Sequence, residues 1–223
     1  MPGWLRSEQV AGFNRNRWLA SIGIDGCNRR NAQAVGDSVV DQLDNGNNPT
    51  DVLKTTSIVR LGDTGTNLVT GEINQALPVS DPDSLKSLVD GTLLLTSDHD
   101  ATLTFISKPG TDQQSASFIT LPAGTTGLDD AIIPMTAAGT FVVSNLGAND
   151  VLKVALTDLN PHDIYMSIGS DNAVDQIDPK TGEITPVITG LNSPHGLAFL
   201  SAGSAGAITP QNPQHTELLA SSF

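Results

Sequence analysis

The stretch DNAVDQIDPKTGEITPVITGLNSPHGLAFL, Asp171 to Leu200, alternates apolar and polar residues through two short runs, then closes on a Pro-His-Gly turn and a further apolar segment. Alternation at a period of two marks strands with one buried face, and Pro-Lys-Thr-Gly supplies a corner between them. Outward from this stretch the same pattern recurs. SIVRL, GTLLLTS, ATLTFI, ASFITL, GTFVVSN, VLKVAL and DIYMSI are short β runs, separated by turns such as KPGTD, LPAGTTG and LGAND. Helical periodicity is scarce; its best instance, DPDSLKSLVDG over 81–91, predicts roughly two turns before glycine ends it. The inventory is all-β.

The runs also repeat. Gly91–Thr96 matches Gly139–Ser144 at an offset of 48 residues, and a polar stretch followed by a second apolar run comes after each, Leu103–Ile106 and Val151–Leu156. Leu19–Asp25 echoes Tyr165–Asp171 at an offset of 146, close to three such periods, and GDTGTN (62–67) echoes SNLGAN (144–149) more faintly. Periods of about 40–50 residues built from short strands mark propeller blades. A four-stranded antiparallel blade has two apolar faces and buries neither alone, so blades cover one another by stacking radially. The expected fold is a β-propeller-like array of antiparallel four-stranded blades. At this period 223 residues supply between four and five blades. A small or incomplete ring, a part of a longer protein, and a ring completed by oligomerisation all fit that number. The division expected is an N-terminal segment or partial blade over 1–56, blades over 57–200, and a polar, Pro-interrupted tail or linker over 201–223.

The opening stretch resembles a blade of the NHL-repeat and SMP-30 (gluconolactonase-like) propellers. Ile177-Asp178, Pro179-Lys180-Thr181-Gly182, Gly190-Leu191 and Pro194-His195-Gly196-Leu197-Ala198-Phe199 match their strand, turn and strand elements, most clearly over 160–200. The resemblance implies the architecture more than any activity, because such propellers include lactonases, lyases and pure binding modules. SMP-30-like enzymes hold a divalent cation with a Glu, an Asn and an Asp from separate blades. The four glutamates here, Glu8, Glu72, Glu183 and Glu217, include no clear counterpart of that ligand.

Charge narrows the partners. The net charge is −13, and it is uneven: residues 1–60 hold seven Lys or Arg against six Asp or Glu, and the remainder four against eighteen. An acidic body repels phosphate backbones and anionic lipid, so nucleic acid is not expected as a partner for it, and no apolar run is long enough for a membrane span. A protein partner, self-association, a small-molecule ligand or a divalent cation, calcium or zinc, is compatible with it. All six arginines lie in the first 60 residues, where near-neutral local charge favours a solvated or partner-facing segment. Cys27 is the single cysteine, so no internal disulfide forms. The start of the chain lacks a signal-peptide h-region; the expected setting is nevertheless secreted or periplasmic, with the cytoplasm as the alternative.

Candidate chemistry sits in the polar turns. His195, held between Pro194 and Gly196, is aimed by a rigid turn and titrates near neutrality, which suits general acid–base work or ligand binding. His162, in the similar turn Asn160-Pro161-His162-Asp163, is the second catalytic candidate, and the pair on adjacent blades would start a zinc site needing a third ligand. Asn160, Asp163 and Asn192 are the candidate ligand-binding residues. In SDHDAT (97–102), Asp98 and Asp100 offer alternate oxygens for calcium, although a solvated acidic hairpin is the simpler reading, as it is for Asp129-Asp130. The expected function is a non-enzymatic binding or assembly module that engages a partner or cation through acidic loops. The alternative is an SMP-30-like hydrolase or lyase acting on a small lactone, ester or sugar acid.

Overall fold

The computed structural model describes residues 17–20, 34–44 and 54–202; for 17–20, 43–44 and 54 it describes the backbone alone. Cys27, most of the arginine-bearing segment and the tail from 203 onward lie outside the described residues. The fold of the described residues is all-β, built from several mainly antiparallel sheets, with no closed barrel among them.

Four sheets account for the described strands. The first is β1 (Arg17–Ala20), β2 (Ser38–Asp44) and β3 (Lys54–Arg60), in that order. The second is formed by β4 (Thr64–Asn67), β5 (Gln75–Ala76), β6 (Pro82–Ser87), β7 (Leu93–Ser97), β8 (Thr102–Ser107) and β9 (Ser115–Thr120). Its spatial order is β5-β4-β9-β8-β7-β6, with β4 and β9 parallel. The third takes β10 (Leu128–Ile132), β13 (Ile164–Ile168), β14 (Ala173–Ile177) and β15 (Ile184–Ile188). The fourth is β12 (Asp150–Leu156), β11 (Gly139–Asn145) and β16 (Pro194–Ser201). A single 3-10 turn, Leu146–Ala148, joins β11 to β12. Among the described residues no helix is long and apolar enough to cross a membrane.

The sheets interlock. Between β10 and its partner β13 the chain leaves the third sheet, makes the β11–β12 hairpin in the fourth, and returns; after β15 it crosses again to β16. The 48-residue repeat marks equivalent hairpins, β7–β8 and β11–β12, in the second and fourth sheets. Strand numbers of three, six, four and three replace the uniform four-stranded unit. β3 spans the expected 56/57 division, so the first sheet draws on both sides of it.

Alternation along the strands explains three separate cores. Leu93 and Leu95 on β7 join Val39, Val40, Ile58 and Val59 in the first, while Leu94 between them joins Leu103, Ile119, Leu128 and Met166 in the second. On β13, Ile164, Met166 and Ile168 face the second core and Tyr165 faces the third, with Phe141, Val143, Val174 and Leu197. Strands β7 and β13 are buried throughout because both their faces are covered, and that is why their runs are almost continuously apolar. Each fully buried Leu, Ile or Val contributes about 1.5–3 kcal/mol. Three aromatics meet in the third core, where the Phe141 ring lies 5.5 Å from Tyr165 and 5.2 Å from Phe199, while Phe118 is in the first core and Phe105 borders the second.

The segment read as a short helix, 81–91, is instead strand β6, paired through Leu85 with Leu95 and Lys86 with Leu94. Its local pattern suits a helix, but the free edge of β7 offers it a ladder that a short isolated helix lacks. Edge strands β1, β6, β10 and β16 lie next to one another in that order along one side of the stack.

Candidate functional site

Three of those edge strands start at one end of the stack, and each presents a functional side chain from its second residue: Asp83 on β6, Asp129 on β10 and His195 on β16. Together with Asp98 of the β7–β8 turn they line a cleft of about 170 Å³, walled by Gly127, Gly169 and Ser193. The positions are set by hydrogen bonds between elements. Asp98 Oδ1 accepts from the Leu128 N–H at 2.9 Å, which fixes the start of β10. The Ser167 hydroxyl donates to the His195 carbonyl, which fixes the start of β16. The Gly169 N–H donates to the Gly127 carbonyl at 2.8 Å, so the wall itself is a backbone contact.

His195 Nδ1 pairs with the Asp129 carboxylate. The next residue, Asp130, reaches two neighbouring strands at once: Oδ1 accepts from Ser84 Oγ at 2.8 Å, and Oδ2 accepts from the Leu197 N–H at 3.0 Å and pairs with Lys86 Nζ at 3.1 Å. The reading of Asp129-Asp130 as a solvated acidic hairpin is thereby corrected. Both lie in strand β10 and are committed to partners on β6 and β16.

Negative charge accumulates in the cleft. Although Asp83 as a residue is exposed, its carboxyl sits against the cleft wall; partial burial, with Asp129, Asp98, Asp81 and Asp130 around it, pushes it up to about 6. Burial also raises Asp129, and His195 opposes that rise. The arrangement suits an ammonium or guanidinium donor, which several carboxylates can accept together. The Asp129–His195 pair also has the form of an oriented acid–base couple.

Other expected site residues are placed elsewhere. His162 and His195 each follow a proline, 33 residues apart, but only His162 lies in a turn; the expected Pro194-His195-Gly196 turn is instead the start of strand β16, and three strand passes, β13, β14 and β15, lie between the two histidines. An odd number of antiparallel passes carries the chain to the opposite end, so the two histidines are not brought together; the five residues from His162 to Ser167, beside His195, span roughly 16 Å of extended chain. His162 is exposed, adopts a left-handed φ of 77°, and donates its N–H to the Pro134 carbonyl at 3.0 Å. Asn160 and Asp163 share that far end. The Asn160 N–H donates to the Tyr165 hydroxyl at 3.1 Å, and Asp163 accepts from Gln176 Nε2 at 2.6 Å, beside an open polar groove of about 380 Å³. Asn192 returns to the cleft end, where its N–H donates to Asn145 Oδ1 at 2.6 Å and its side chain packs on Gly147.

Asp98 and Asp100 do not act together. Asp98 serves the cleft, whereas Asp100 accepts from the Ser80 N–H at 2.6 Å, from Ser80 Oγ at 2.9 Å and from Ser97 Oγ at 2.7 Å. Among the described residues no group of three or more His, Cys, Asp or Glu is placed to hold a metal ion. Sequence reasoning missed Asp83 and Lys86, both inside the segment read as a helix. A period-two reading of Asp81–Ser87 is the signal that would have found them.

Comparison with known proteins returns no match: no family model, no curated protein and no solved structure resembles the chain significantly.

Proposed function

We propose that this chain is a non-enzymatic, propeller-type binding module that takes a cationic side chain of a protein partner into the cleft at the start of β6, β10 and β16. The observation that carries this reading is the convergence of Asp83 and Asp98 of the second sheet and Asp129 of the third on one cleft, with their mutual repulsion only partly offset by His195. A ligand ammonium or guanidinium relieves that repulsion and gains charge-assisted hydrogen bonds of about 1.5–3 kcal/mol each. Adjacent edge strands leading successive sheets supports the radial arrangement, in keeping with the NHL-like pattern of Asp171–Leu200. The test is an NMR titration with N-acetyl-arginine amide and N-acetyl-lysine amide. Saturable shifts at Asp83, Asp98 and Asp129, lost in Asp83→Asn/Asp129→Asn, are expected. Identical shifts in wild type and double variant sink the reading.

A second reading rests on the Asp129–His195 pair. With the imidazole oriented by a carboxylate, and Asp83 able to carry a proton near pH 6, the cleft has the groups for hydrolysis or lyase chemistry on a small lactone, ester or sugar acid. Turnover of a lactone and ester panel that disappears in His195→Ala would favour it over pure binding.

A further inference from the structure

Asp175 stands in the middle of β14 at 0% exposure, and both of its carboxyl oxygens lack a hydrogen-bond partner. Its strand neighbour Val174 packs in the third core and Ile177 in the second, so alternation turns Asp175 toward the second, with Met166 of β13 and Pro186 of β15 beside it. Pro186 has no N–H to donate, and Met166 offers a thioether. Strands β7, β8, β9, β13 and β15 bring no Asp, Glu, His, Lys or Arg to this layer. Tyr165 belongs to the third core, and on β10 Asp129 and Asp130 are committed to His195 and Lys86. Burial, with the like charge of Asp171 behind it, pushes Asp175 up to about 7.

We propose that Asp175 is a proton-operated latch on the third sheet: carrying its proton it is tolerated in the core, and losing it places an uncompensated charge there that loosens β14. An unpaired buried charge is among the costliest features a core can hold, so the chain responds by opening locally or by admitting water. The opening reaches the cleft wall, because Asn172 Oδ1 accepts from the Ser193 N–H at 3.1 Å and Gly169 lines the cleft. The latch is independent of what the cleft binds.

The sign follows from linkage. Between the ordinary carboxyl value and the folded one, the native state holds a proton that the unfolded chain has released, so stability falls as pH rises through that window and levels off above it. The direct test is the carbon-13 carboxyl shift of Asp175 in the wild-type protein, assigned by its disappearance in Asp175→Asn. A midpoint near 7 is expected, and a midpoint near 4 overturns the proposal. In parallel, the folded-to-unfolded ratio of wild type relative to Asp175→Asn should fall about tenfold per pH unit between roughly pH 4 and 7. Equal pH dependence of the two proteins overturns it as well. If Asp175→Asn does not fold, Asp175→Leu replaces it, and the wild-type titration, assigned through backbone connectivity, decides the matter by itself.

Discussion

Lys86 Nζ lies 3.1 Å from Asp130 Oδ2 and donates to the Leu197 carbonyl, also at 3.1 Å, so one ammonium ties β6 to β10 and β16. Asp130 completes the tie by accepting from Ser84 and from the Leu197 N–H. The cleft is built one residue before Asp130 and two before Leu197, so this knot sets the spacing of Asp83, Asp129 and His195. The pair is partly shielded, with side-chain exposures of 31% and 25%, which puts its removal above a surface salt bridge and below a fully buried one. Lys86→Met is expected to cost about 1–3 kcal/mol, seen as a lower midpoint in chemical denaturation, and to weaken binding of the arginine probe by moving Asp83. An unchanged midpoint would show that the knot is incidental.

Asp83 sets the expected pH dependence of the cleft. Held up near 6, it is protonated below that value and adds a negative charge above it. Affinity for N-acetyl-arginine amide should therefore rise several-fold between pH 5 and 7. In Asp83→Asn that component of the rise is absent, while any contribution from His195 remains. A wild-type affinity that is flat over the interval, or falls, contradicts the assignment of Asp83 to the ligand.

The glycine wall makes a sharper structural prediction. Gly127 has φ +70°, and a Cβ on it would lie 2.9 Å from the Gly169 Cα and 3.1 Å from the Gly169 nitrogen, both backbone atoms. Gly169 is less constrained, because a Cβ there would meet the Gly127 Cα at 3.3 Å without a left-handed backbone. Gly127→Ala should lose about 1–3 kcal/mol and Gly169→Ala less. Thermal unfolding of the two variants side by side gives the order, and the reverse order would mean that the wall is not held by this backbone approach.

The strands were legible because burial follows a period of two, which survives wherever a strand has a core on one side. GTFVVSN alternates buried and half-buried positions throughout, and LLLTS and IYMSI are apolar because two cores claim them. What was not legible depends on non-local order. That β11–β12 joins β16 rather than β10 is a property of the crossover, and no local signal encodes it. His195 was found because Pro-His-Gly stands out as a locally constrained segment, although it proves to be the start of strand β16 rather than a turn. His162 also follows a proline but sits in a turn at the other end, since strand parity, invisible to a motif, decides which end a segment occupies. Asp83 was hidden by a short segment whose spacing suits helix and strand alike, and Asp175 by the alternation itself, which gives it a core position that residue type argues against.

Asp100 separates a structural carboxylate from a metal ligand. Its two oxygens accept from the Ser80 N–H, the Ser80 hydroxyl and the Ser97 hydroxyl, closing the 77–81 segment onto the β7–β8 turn. These bonds occupy the oxygens that calcium would need, and Asp98 is turned to the cleft with its Oδ1 on the Leu128 N–H. Asp100→Ala leaves the Ser80 N–H and two hydroxyls without their acceptor, at a cost of about 1–2 kcal/mol given that this region is partly solvated. Thermal unfolding with and without excess calcium chloride distinguishes the roles. Asp100 as a tie predicts a lower midpoint for the variant and the same small calcium response in both proteins. A midpoint that calcium raises in wild type but not in Asp100→Ala would assign the residue to a cation instead.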